Sequence, residues 1–455
     1  GQLPGKETEC EVVYQLGSGP ESRTGLTQKE AVLEFRELKP GADRLRIAVV
    51  GKSDRKALFE AVWPLAVVAP PPAWPETARK LNNLVTELAV FKAAPGEQYR
   101  FANPRNGFLH IALGAGRTAK LTETGNVIAG AGNLYLPAGI YTLEYQGPGE
   151  GTIAVRAIRE ILYQPLCSGP RIPGSGRYSW AFVKQYLAPV VTTFNGVSWP
   201  EKITPEEQAD FRSLPLRWLG NIDQLGRIEK PQELLPRIQK LLDDPRFDGG
   251  TIDEINLASL PRIALFSEGL PLVKDPGNKI IDVWCYGKPE VRDAIRRLCA
   301  VVFNAGNGQG KILFEAYALP QKDETAAREY IHHMIVETGT KFETCYPGAL
   351  NRLAMILGNY AQETMLSLAH YPAQDYKYYL DMQMNLAATA PELADLGGVG
   401  YWGGAYTDEE ITRWCAALLR HYAIEGRTDM LSDKYGFTFA SEYLKNGDFE
   451  TDLKL

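Results

Sequence analysis

The chain has 455 residues, of which 45% are hydrophobic and 23% charged, as in soluble globular proteins of two or three domains. Its net charge is −6 and it contains no basic run, so a nucleic-acid partner is not expected. No stretch of about 18 apolar residues occurs, so the sequence predicts no membrane-spanning helix.

Residue types that bind metals or form disulfides are sparse. The six cysteines are isolated, without metal-site or redox spacing, so a disulfide framework is not expected. Only five histidines are present and no HExxH motif occurs, which argues against a zinc site and a Ser-His-Asp triad. The sequence therefore predicts no metal and no cofactor. The 22 tyrosines and 8 tryptophans fit either core packing or a surface that binds flat polar ligands such as sugars.

Residues 1–165 have the pattern of a β-sandwich. Short alternating runs recur between Gly, Pro and Asn, and the Pro-rich stretch 67–76 is expected to join two small β units. The segment "YLPAGIYTLEY" (135–145) resembles the strand-turn-strand of accessory sandwich modules in secreted bacterial carbohydrate enzymes. Residues 166–177, which include "CSGPRIPGSG", are predicted to be an interdomain linker.

Residues 178–440 alternate between short strand patterns and helical ones. Seven strand candidates recur roughly every 30 residues, which predicts a (β/α)8 barrel: 189–196, 216–223, 249–255, 279–287, 311–319, 354–361 and 397–404. The eighth strand is expected within 338–352 or 376–392. A doubly wound open sheet is the alternative, but the sequence lacks the Gly-rich phosphate loop that normally follows an early strand of that fold.

Two of the intervening helices are marked by their first residues. The helix predicted at 288–303 has Pro289 in its first turn, where the missing N–H costs nothing. The helix predicted at 407–423 has Thr407 as its N-cap, and Glu410 completes a capping box.

The strand ends are unusually polar. The active site of a parallel barrel lies at the carboxyl ends of its strands, and side chains two residues apart share a face. We therefore expect a group of polar and aromatic residues at these ends to bind substrate, the aromatic ones by stacking on sugar rings: Asn195, Asn221, Asp282, Trp284, Tyr286, Tyr317, Tyr360, Glu363, Tyr401 and Trp402.

Three acids at the strand ends are the catalytic candidates. Glu315 lies between "KILF" and "AYAL", where a charge is costly unless it is used or paired, so it is either catalytic or a partner of Arg217. Asp253 and Glu254 lie in "DGGTIDEIN" (248–256), where one of them could instead cap the next helix. If Ile252 faces the helices, strand alternation directs Asp253 into the barrel. Glu254 directly follows Asp253, and an acid at that place at a strand end resembles the acid/base position of many barrel glycosidases. Alternation therefore favours Asp253 inside the barrel, whereas the resemblance favours Glu254 as the acid/base.

Two carboxylates, many aromatic residues and few histidines fit glycoside hydrolysis. One carboxylic acid protonates the leaving oxygen, and the other attacks the sugar or activates water. We expect Glu254 to be the acid/base and Glu315 the nucleophile or base, with Asp253 tuning Glu254 or acting as the acid itself. A carboxyl separation of about 5–5.5 Å would predict a retaining enzyme, and about 6.5–9.5 Å an inverting one.

The whole layout resembles multi-domain bacterial glycoside hydrolases, with an N-terminal sandwich, a barrel and a trailing binding module. "NGDFE" within 441–455 resembles the opening strand of jelly-roll carbohydrate-binding modules, so this segment is either the start of a truncated β module or a tail. The resemblance implies a carbohydrate substrate and a secreted, periplasmic or cell-surface enzyme, and identifies no specific family. A non-catalytic carbohydrate-binding protein on a degenerate barrel is the alternative; the lack of a basic cluster argues against a polysaccharide lyase.

Overall fold

The computed structural model describes most of the chain. The residues described are 9–26, 31–35, 38, 41–67, 71–164, 179–197, 204–222, 228, 230–273, 279–290, 292–319, 321–361, 374–402 and 407–440. Among them, no helix is long and apolar enough to cross a membrane.

The chain begins with a four-stranded antiparallel sheet. Its strands run in the order β2-β1-β3-β4 and comprise β1 (Cys10–Leu16), β2 (Ser22–Gly25), β3 (Gly41–Gly51) and β4 (Ala57–Val67). Strand alternation separates its buried side chains into two small clusters, one with Val12 and Val49 and the other with Val13 and Val50. The Pro-rich stretch at 67–76 lies between this sheet and the next strand, where the sequence predicts a joint between two β units.

A nine-stranded β-sandwich follows. Its two antiparallel sheets have the orders β10-β9-β12-β7 and β11-β8-β13-β6-β5. The strands are β5 (Arg79–Lys80), β6 (Val85–Ala93), β7 (Gln98–Asn103), β8 (Gly107–Ala112), β9 (Thr118–Leu121), β10 (Val127–Ala129), β11 (Ala131–Leu136), β12 (Gly139–Tyr145) and β13 (Gly151–Ile158). Alternation along β12 buries Tyr141, Leu143 and Tyr145 between the sheets. The predicted N-terminal sandwich is thus confirmed.

The second half of the chain forms a closed barrel of eight parallel strands, as the sequence predicts. The strands are β14 (Glu160–Tyr163), β15 (Thr193–Val197), β16 (Arg217–Ile222), β17 (Gly249–Asn256), β18 (Ile280–Tyr286), β19 (Ile312–Ala316), β20 (Leu353–Gly358) and β21 (Gly398–Trp402). We call the carboxyl ends of these strands the mouth of the barrel and their amino ends the floor.

The first barrel strand lies earlier in the chain than the sequence predicts. The run at 151–163 reads as one sandwich strand, but β13 ends at Ile158 and Glu160 begins β14, which pairs with β15 and closes the barrel against β21. The eighth strand is therefore in neither 338–352 nor 376–392, which are mainly helical. The predicted linker at 166–177 falls between β14 and the first helix, inside the barrel domain, and its residues lie outside those described, as do residues 441–455.

Helices alternate with the barrel strands and cover them. They are α1 (Trp180–Phe182), α2 (Pro205–Arg212), α3 (Pro231–Leu242), α4 (Leu260–Gly269), α5 (Arg292–Gly308), α6 (Glu324–His332), α7 (Thr338–Cys345), α8 (Tyr376–Thr389) and α9 (Glu409–Leu418). The helices α1, α6 and α9 continue into π-helical turns at Val183–Leu187, His333–Glu337 and Leu419–Ile424. Short 3₁₀ turns lie at Leu270–Leu272, Ala349–Arg352, Pro391–Leu393 and Ser432–Tyr435.

Two predicted helix starts are shifted. The side chain of Asp408, not Thr407, caps α9 by accepting a hydrogen bond from Ile411 N at 2.8 Å, whereas the Thr407 hydroxyl donates to the carbonyl of Asn359. The helix that we expected at 288–303 is α5, which begins at Arg292 and ends at Gly308.

The barrel interior is filled by side chains from alternate strand positions. Its apolar cluster comprises Leu162, Trp284, Leu313, Ala354 and Ile356. Such packing requires glycine on β21, because a Cβ at Gly400 would lie 2.4 Å from the carbonyl oxygen of Leu162. The interior is therefore a packed core beneath the mouth and not an open channel.

Candidate active site at the barrel mouth

A β-bulge in β17 brings two acids to the mouth. The pairing of β17 with β18 runs from Ile252 opposite Val283 to Ile255 opposite Cys285, so β17 contains one extra residue. Both isoleucines are buried against the helix layer, which leaves Asp253 and Glu254 between them. Asp253 follows the strand alternation into the barrel and is half-buried, whereas Glu254 is exposed.

Glu254 adopts a backbone conformation that few residues with a side chain adopt. Its φ is +54°, in the left-handed region, where a Cβ is disfavoured by roughly 1–2 kcal/mol. Such conformations concentrate at active sites and ligand clamps, because the surrounding structure must hold them in place. The sequence left open which of the two acids faces the barrel interior. With the bulge, Asp253 faces the interior and Glu254 turns over the mouth.

Glu315 occupies the last inward-facing position of β19. Its neighbours Phe314 and Ala316 are buried against the helix layer, so the carboxyl group points into the barrel beside the mouth. Burial raises the pKa of Glu315 to about 9, and the negative charges of Asp253 and Glu254 contribute in the same direction. The three acids therefore lie close enough to interact electrostatically, and Glu315 holds a proton at neutral pH.

Three aromatic side chains pack together beside Glu315. The rings of Tyr317 and Trp402 are stacked with their centroids 5.8 Å apart, and Tyr360 lies 5.3 Å from Tyr317 and 5.4 Å from Trp402. Position 358 must be glycine for this arrangement, because a Cβ there would lie 2.3 Å from the ring of Tyr360. Burial raises the pKa of the Tyr317 hydroxyl, and Glu315 is the next largest influence on it.

Asn195 and Trp284 lie deeper in the barrel and bond to each other. With the Asn195 amide oriented so that its nitrogen donates to the carbonyl of Tyr163 at 3.0 Å, its oxygen accepts from Trp284 Nε1 at 3.3 Å. Asn195 is 1% exposed and Trp284 3% exposed. The structure thus places these two residues beneath the mouth, where they support it from inside the barrel.

The other residues expected to bind substrate lie in different places. Tyr286 is 37% exposed at the carboxyl end of β18, and Asn221 is half-buried near the end of β16, so both are near the mouth. Tyr401 is fully buried on the outward face of β21, among the side chains of the helix layer, so we leave it out of the proposed site. Glu363 lies outside the described residues.

Asp282 lies at the opposite end of the barrel from the mouth. It is fully buried in the first part of β18, and its Oδ1 accepts a hydrogen bond from the backbone N–H of Lys311 at 2.9 Å. Its position two residues before Trp284 keeps it on the interior face, as predicted, but in a lower layer. Asp282 therefore lies at the floor, away from the other candidate residues at the mouth.

The floor holds a buried charge cluster. Glu160, 4% exposed, accepts hydrogen bonds from Thr193 Oγ1 and Lys311 Nζ and lies 3.8 Å from Arg217. Arg217, the proposed structural partner of Glu315, is thus paired with Glu160 at the floor. Burial and the nearby charge of Glu160 raise the pKa of Asp282 to about 7.

Sequence reasoning missed Glu160 and the bulge. The pattern gave no indication that Glu160 begins a barrel strand, because "VRAIREILY" continues the alternation of the preceding strand without an interruption. The bulge has a sequence signal in "IDEI": two isoleucines three residues apart cannot both face the helices in a regular strand.

Comparison with known proteins identifies no family. No protein-family model matches the sequence, and no curated protein matches it. The active domain 2 of a thermostable Pyrococcus furiosus chitinase, solved as catalytic-site mutants with chito-oligosaccharides, is 10% identical, with a TM-score of 0.36 over 62% of this chain and 97% of that one. The C-terminal domain of a putative chitinase from Desulfitobacterium hafniense is 11% identical, with a TM-score of 0.38 over 58% of this chain and 99% of that one.

A β-glucuronidase from Bacteroides uniformis is 10% identical, with a TM-score of 0.35 over 92% of this chain. The chain spans 60% of the length of that enzyme. These similar solved structures are glycoside hydrolases. Their similarity is too low to carry an activity to this chain.

Among the described residues, no group of three or more His, Cys, Asp or Glu side chains is arranged to hold a metal ion. The described part of the mouth presents carboxyl groups, phenol hydroxyls and aromatic faces.

Proposed function

We propose that the protein is a glycoside hydrolase that uses two carboxyl groups at the barrel mouth. The observation that carries the proposal is Glu315, a half-buried carboxyl group beside two other acids at the mouth, the end where active sites of parallel barrels lie. A glycosidase requires one protonated and one ionised carboxyl group on either side of the scissile bond. Pairs of acids whose surroundings separate their pKa values supply this combination.

The surroundings of Glu315 favour it as the general acid. Its pKa is raised to about 9 by burial and by Asp253 and Glu254, so it carries the proton that a leaving oxygen needs. This reverses the roles expected from the sequence, in which Glu254 is the acid/base and Glu315 the nucleophile or base. The reason is the difference in burial: Glu254 is exposed to water, whereas Glu315 is half-buried at the end of β19.

Asp253 is the proposed second carboxylate. It faces the interior from β17, two strands from β19, and its charge acts on Glu315 and on Tyr317. It would attack the anomeric carbon or activate a water molecule, depending on its separation from Glu315. Glu254, displaced over the mouth by the bulge, is the proposed neighbour that keeps the proton on Glu315 and contacts bound substrate.

The aromatic group beside Glu315 supports a sugar substrate. Trp402 is only partly buried, and a partly exposed aromatic face suits the apolar face of a pyranose ring. Tyr286 and Asn221, near the mouth on β18 and β16, are proposed to hydrogen-bond hydroxyl groups. Secretion or location at the cell surface follows from the resemblance to carbohydrate-degrading enzymes and stays a prediction.

An assay of polysaccharides and oligosaccharides tests the proposal. We expect the full chain to release reducing sugar from at least one substrate, and Glu315→Gln and Asp253→Asn each to lower the rate at least a hundredfold. The control is Glu268→Gln, which removes an exposed carboxylate from α4 and should keep the full rate. If Glu315→Gln and Asp253→Asn keep full activity, the proposed pair is wrong.

The same assay separates the enzyme from a carbohydrate-binding protein on a degenerate barrel. A binding protein would retain an oligosaccharide in calorimetry and hydrolyse none of the panel. An enzyme would hydrolyse the sugar that it binds, and Glu315→Gln would bind it without cleavage.

A further inference from the structure

We propose that the groove between the β-sandwich and the floor of the barrel is a second ligand site, which binds a uronic acid unit of an acidic oligosaccharide. The proposal goes beyond the hydrolase, because this groove lies at the end of the barrel opposite Glu315. It rests on an arginine, an exposed aromatic ring and two amide side chains that line the same groove.

The groove lies where the sandwich meets the amino ends of three barrel strands. Phe108 and Tyr135, directly opposite each other on β8 and β11, form part of its sandwich side. Its barrel side includes the first residue of β16, Arg217, and the residues that directly precede β17 and β18, Asp248 and Lys279. The groove has a volume of about 630 Å³, within the range of roughly 300–1,000 Å³ that is usual for small-ligand sites.

Arg217 presents hydrogen-bond donors to this groove. Its side chain is 19% exposed, and its Nη1 lies 3.8 Å from Glu160 Oε1, which is beyond hydrogen-bonding distance. The carboxylate of Glu160 already accepts from Thr193 Oγ1 and Lys311 Nζ. The close contacts of the guanidinium with the described residues are this ion pair and its stacking on two aromatic rings. Its planar set of N–H groups therefore stays available for a carboxylate, which it matches in geometry.

Tyr135 gives the groove a face for a sugar ring. It is 40% exposed, although the Arg217 guanidinium lies 4.0 Å from its ring centroid. The ring of Phe108 packs edge-on against it with the centroids 5.3 Å apart, which limits its rotation. An exposed tyrosine ring suits the apolar face of a pyranose, and the adjacent arginine can pair with a carboxylate carried by the same sugar.

Two exposed amides suit the hydroxyl groups of that sugar. Asn126 lines the groove from the sandwich and Gln309 from the end of α5, and each amide can both donate and accept hydrogen bonds. A simple anion such as acetate or phosphate would use the arginine alone. The combination of arginine, ring and amides therefore favours an acidic sugar over a small anion.

The charge of the groove favours a uronic acid over a neutral sugar. Among the described residues that line it, Arg217 and Lys279 are cations and Asp248 is an anion. The Oδ2 atom of Asp248 accepts from Arg212 at 3.3 Å and from the backbone N–H of Trp218 at 2.8 Å, so a cation outside the groove balances its charge. A ligand carboxylate can thus pair with Arg217 in a groove of positive charge, an interaction that a neutral sugar lacks.

Isothermal titration calorimetry with the full chain at pH 7 tests the proposal. The probes are oligogalacturonate, oligoglucuronate and oligomannuronate, each beside the neutral oligosaccharide of the same stereochemistry and linkage. Acetate and inorganic phosphate are the simple anions for comparison. We expect one uronate to bind about tenfold more tightly, or more, than its neutral counterpart and than either simple anion. This binding should weaken in 0.5 M salt, because salt screens the pairing of charges.

Variants of two cavity-lining residues locate the binding in the groove. Arg217→Lys keeps a positive charge beside Glu160 but loses the planar fork, and we expect the affinity for the uronate to fall by about tenfold or more. Gln309→Glu and Gln309→Lys are a matched pair at an exposed position, where the fold does not depend on the side chain. The first should weaken binding of the uronate and the second should strengthen it, each by roughly threefold to tenfold.

Tyr135→Ala and Tyr135→Phe separate stacking from a general loss of structure. Phenylalanine keeps the ring and should keep most of the affinity, whereas alanine should lower it by about tenfold. Thermal unfolding of each variant shows which of them are folded, and the Gln309 pair decides if Arg217→Lys or Tyr135→Ala does not fold.

The outcomes bear on the groove and not on the hydrolase. The inference is overturned if no uronate binds, if neutral sugars or acetate bind as tightly, or if the Gln309 pair leaves the affinity for the uronate unchanged. Uronate binding that follows the charge at Gln309 supports it. Hydrolysis is tested separately by Glu315→Gln and Asp253→Asn, whichever result the groove gives.

Discussion

At the scale of single residues, a glutamate carboxyl group is ionised at the floor of the barrel and protonated at the mouth. Glu160 at the floor is surrounded by Lys311 and Arg217, and these cations hold its pKa at about 2 although burial alone would raise it. Glu315 at the mouth is half-buried, and its charged neighbours Asp253 and Glu254 are acids, so that burial and these charges together raise its pKa to about 9. Neighbouring charge decides which acid keeps its proton.

The first prediction concerns the pH dependence of activity. An acid catalyst works while it is protonated, so kcat/KM should decline at alkaline pH as Glu315 loses its proton near pH 9. Glu254→Gln removes one of the charges that raise this pKa, and the alkaline limb should therefore move to lower pH. The pH–rate profiles of the two proteins check this, and an unmoved limb in Glu254→Gln would exclude the proposed coupling.

The second prediction concerns the floor. The pKa of Asp282 is raised to about 7 in the fold, so its contribution to stability is complete below about pH 4 and is lost as the pH rises to 7. Asp282→Asn lacks the ionisable group, and its amide can still accept from Lys311 N. We expect the variant to be more stable than the native chain by on the order of 2 kcal/mol at pH 8, with a smaller difference at pH 5.

Denaturant unfolding at the two pH values measures this difference. Glu160→Gln is the comparison variant, and it should be less stable than the native chain at pH 8, because it leaves the half-buried Lys311 ammonium without its carboxylate. Equal destabilisation of Asp282→Asn at both pH values would contradict the account of the floor.

At the scale of secondary-structure elements, the bulge in β17 is the feature that builds the mouth. A regular strand would direct Asp253 and Glu254 to opposite faces, one into the barrel and one into the helix layer. The extra residue keeps both isoleucines in the helix-facing core and leaves both acids at the mouth. The backbone strain of Glu254 accompanies this arrangement.

The third prediction tests that strain. Glycine tolerates a φ of +54° without the Cβ penalty, so Glu254→Gly should raise the free energy of unfolding by about 1 kcal/mol. Glu254→Ala is the matched control, because it also lacks the carboxylate but keeps the Cβ, and it should be the less stable of the two. Thermal unfolding that ranks alanine above glycine would argue against strain at this position.

Element types could be predicted from the sequence better than strand boundaries and strand depth. The alternation in β17–β21 and their spacing predict the barrel, because buried parallel strands produce short apolar runs between amphipathic helices. The boundary between β13 and β14 could not be predicted, because the chain passes from sandwich to barrel without a turn signal. Asp282 could be placed on the inward face but not at a height in the barrel, since depth depends on how neighbouring strands are staggered.

At the scale of the whole molecule, the sandwich is joined to the barrel by buried polar contacts. The Asn82 side chain donates to the carbonyls of Tyr422 at 2.8 Å and Arg427 at 2.9 Å, and Asn83 donates to that of Ala390 at 2.7 Å. At the floor, Arg217 stacks its guanidinium 4.0 Å from the ring of Tyr135 in β11. The sandwich is therefore a structural neighbour of the barrel and not a loosely attached module.

The fourth prediction follows from this interface. Asn82 is 6% exposed and its oxygen also accepts from the N–H groups of Leu84 and Val85, so Asn82→Ala leaves several buried groups unpaired. We expect a loss of about 2–3 kcal/mol in the free energy of unfolding, and one joint transition of sandwich and barrel. Asn126→Ala, an exposed position in the same sandwich, is the control and should change little. Separate unfolding of the sandwich would contradict the joint transition.

The central claim is that Glu315 donates the proton to the leaving group, and the dependence on leaving group tests it most directly. A dinitrophenolate leaves without protonation, whereas an alkyl or sugar alkoxide does not. For one accepted sugar, Glu315→Gln should lower kcat/KM about a thousandfold or more with an alkyl or sugar leaving group, and less than about tenfold with dinitrophenol. Equal losses with both leaving groups would contradict the assignment of Glu315 as the acid.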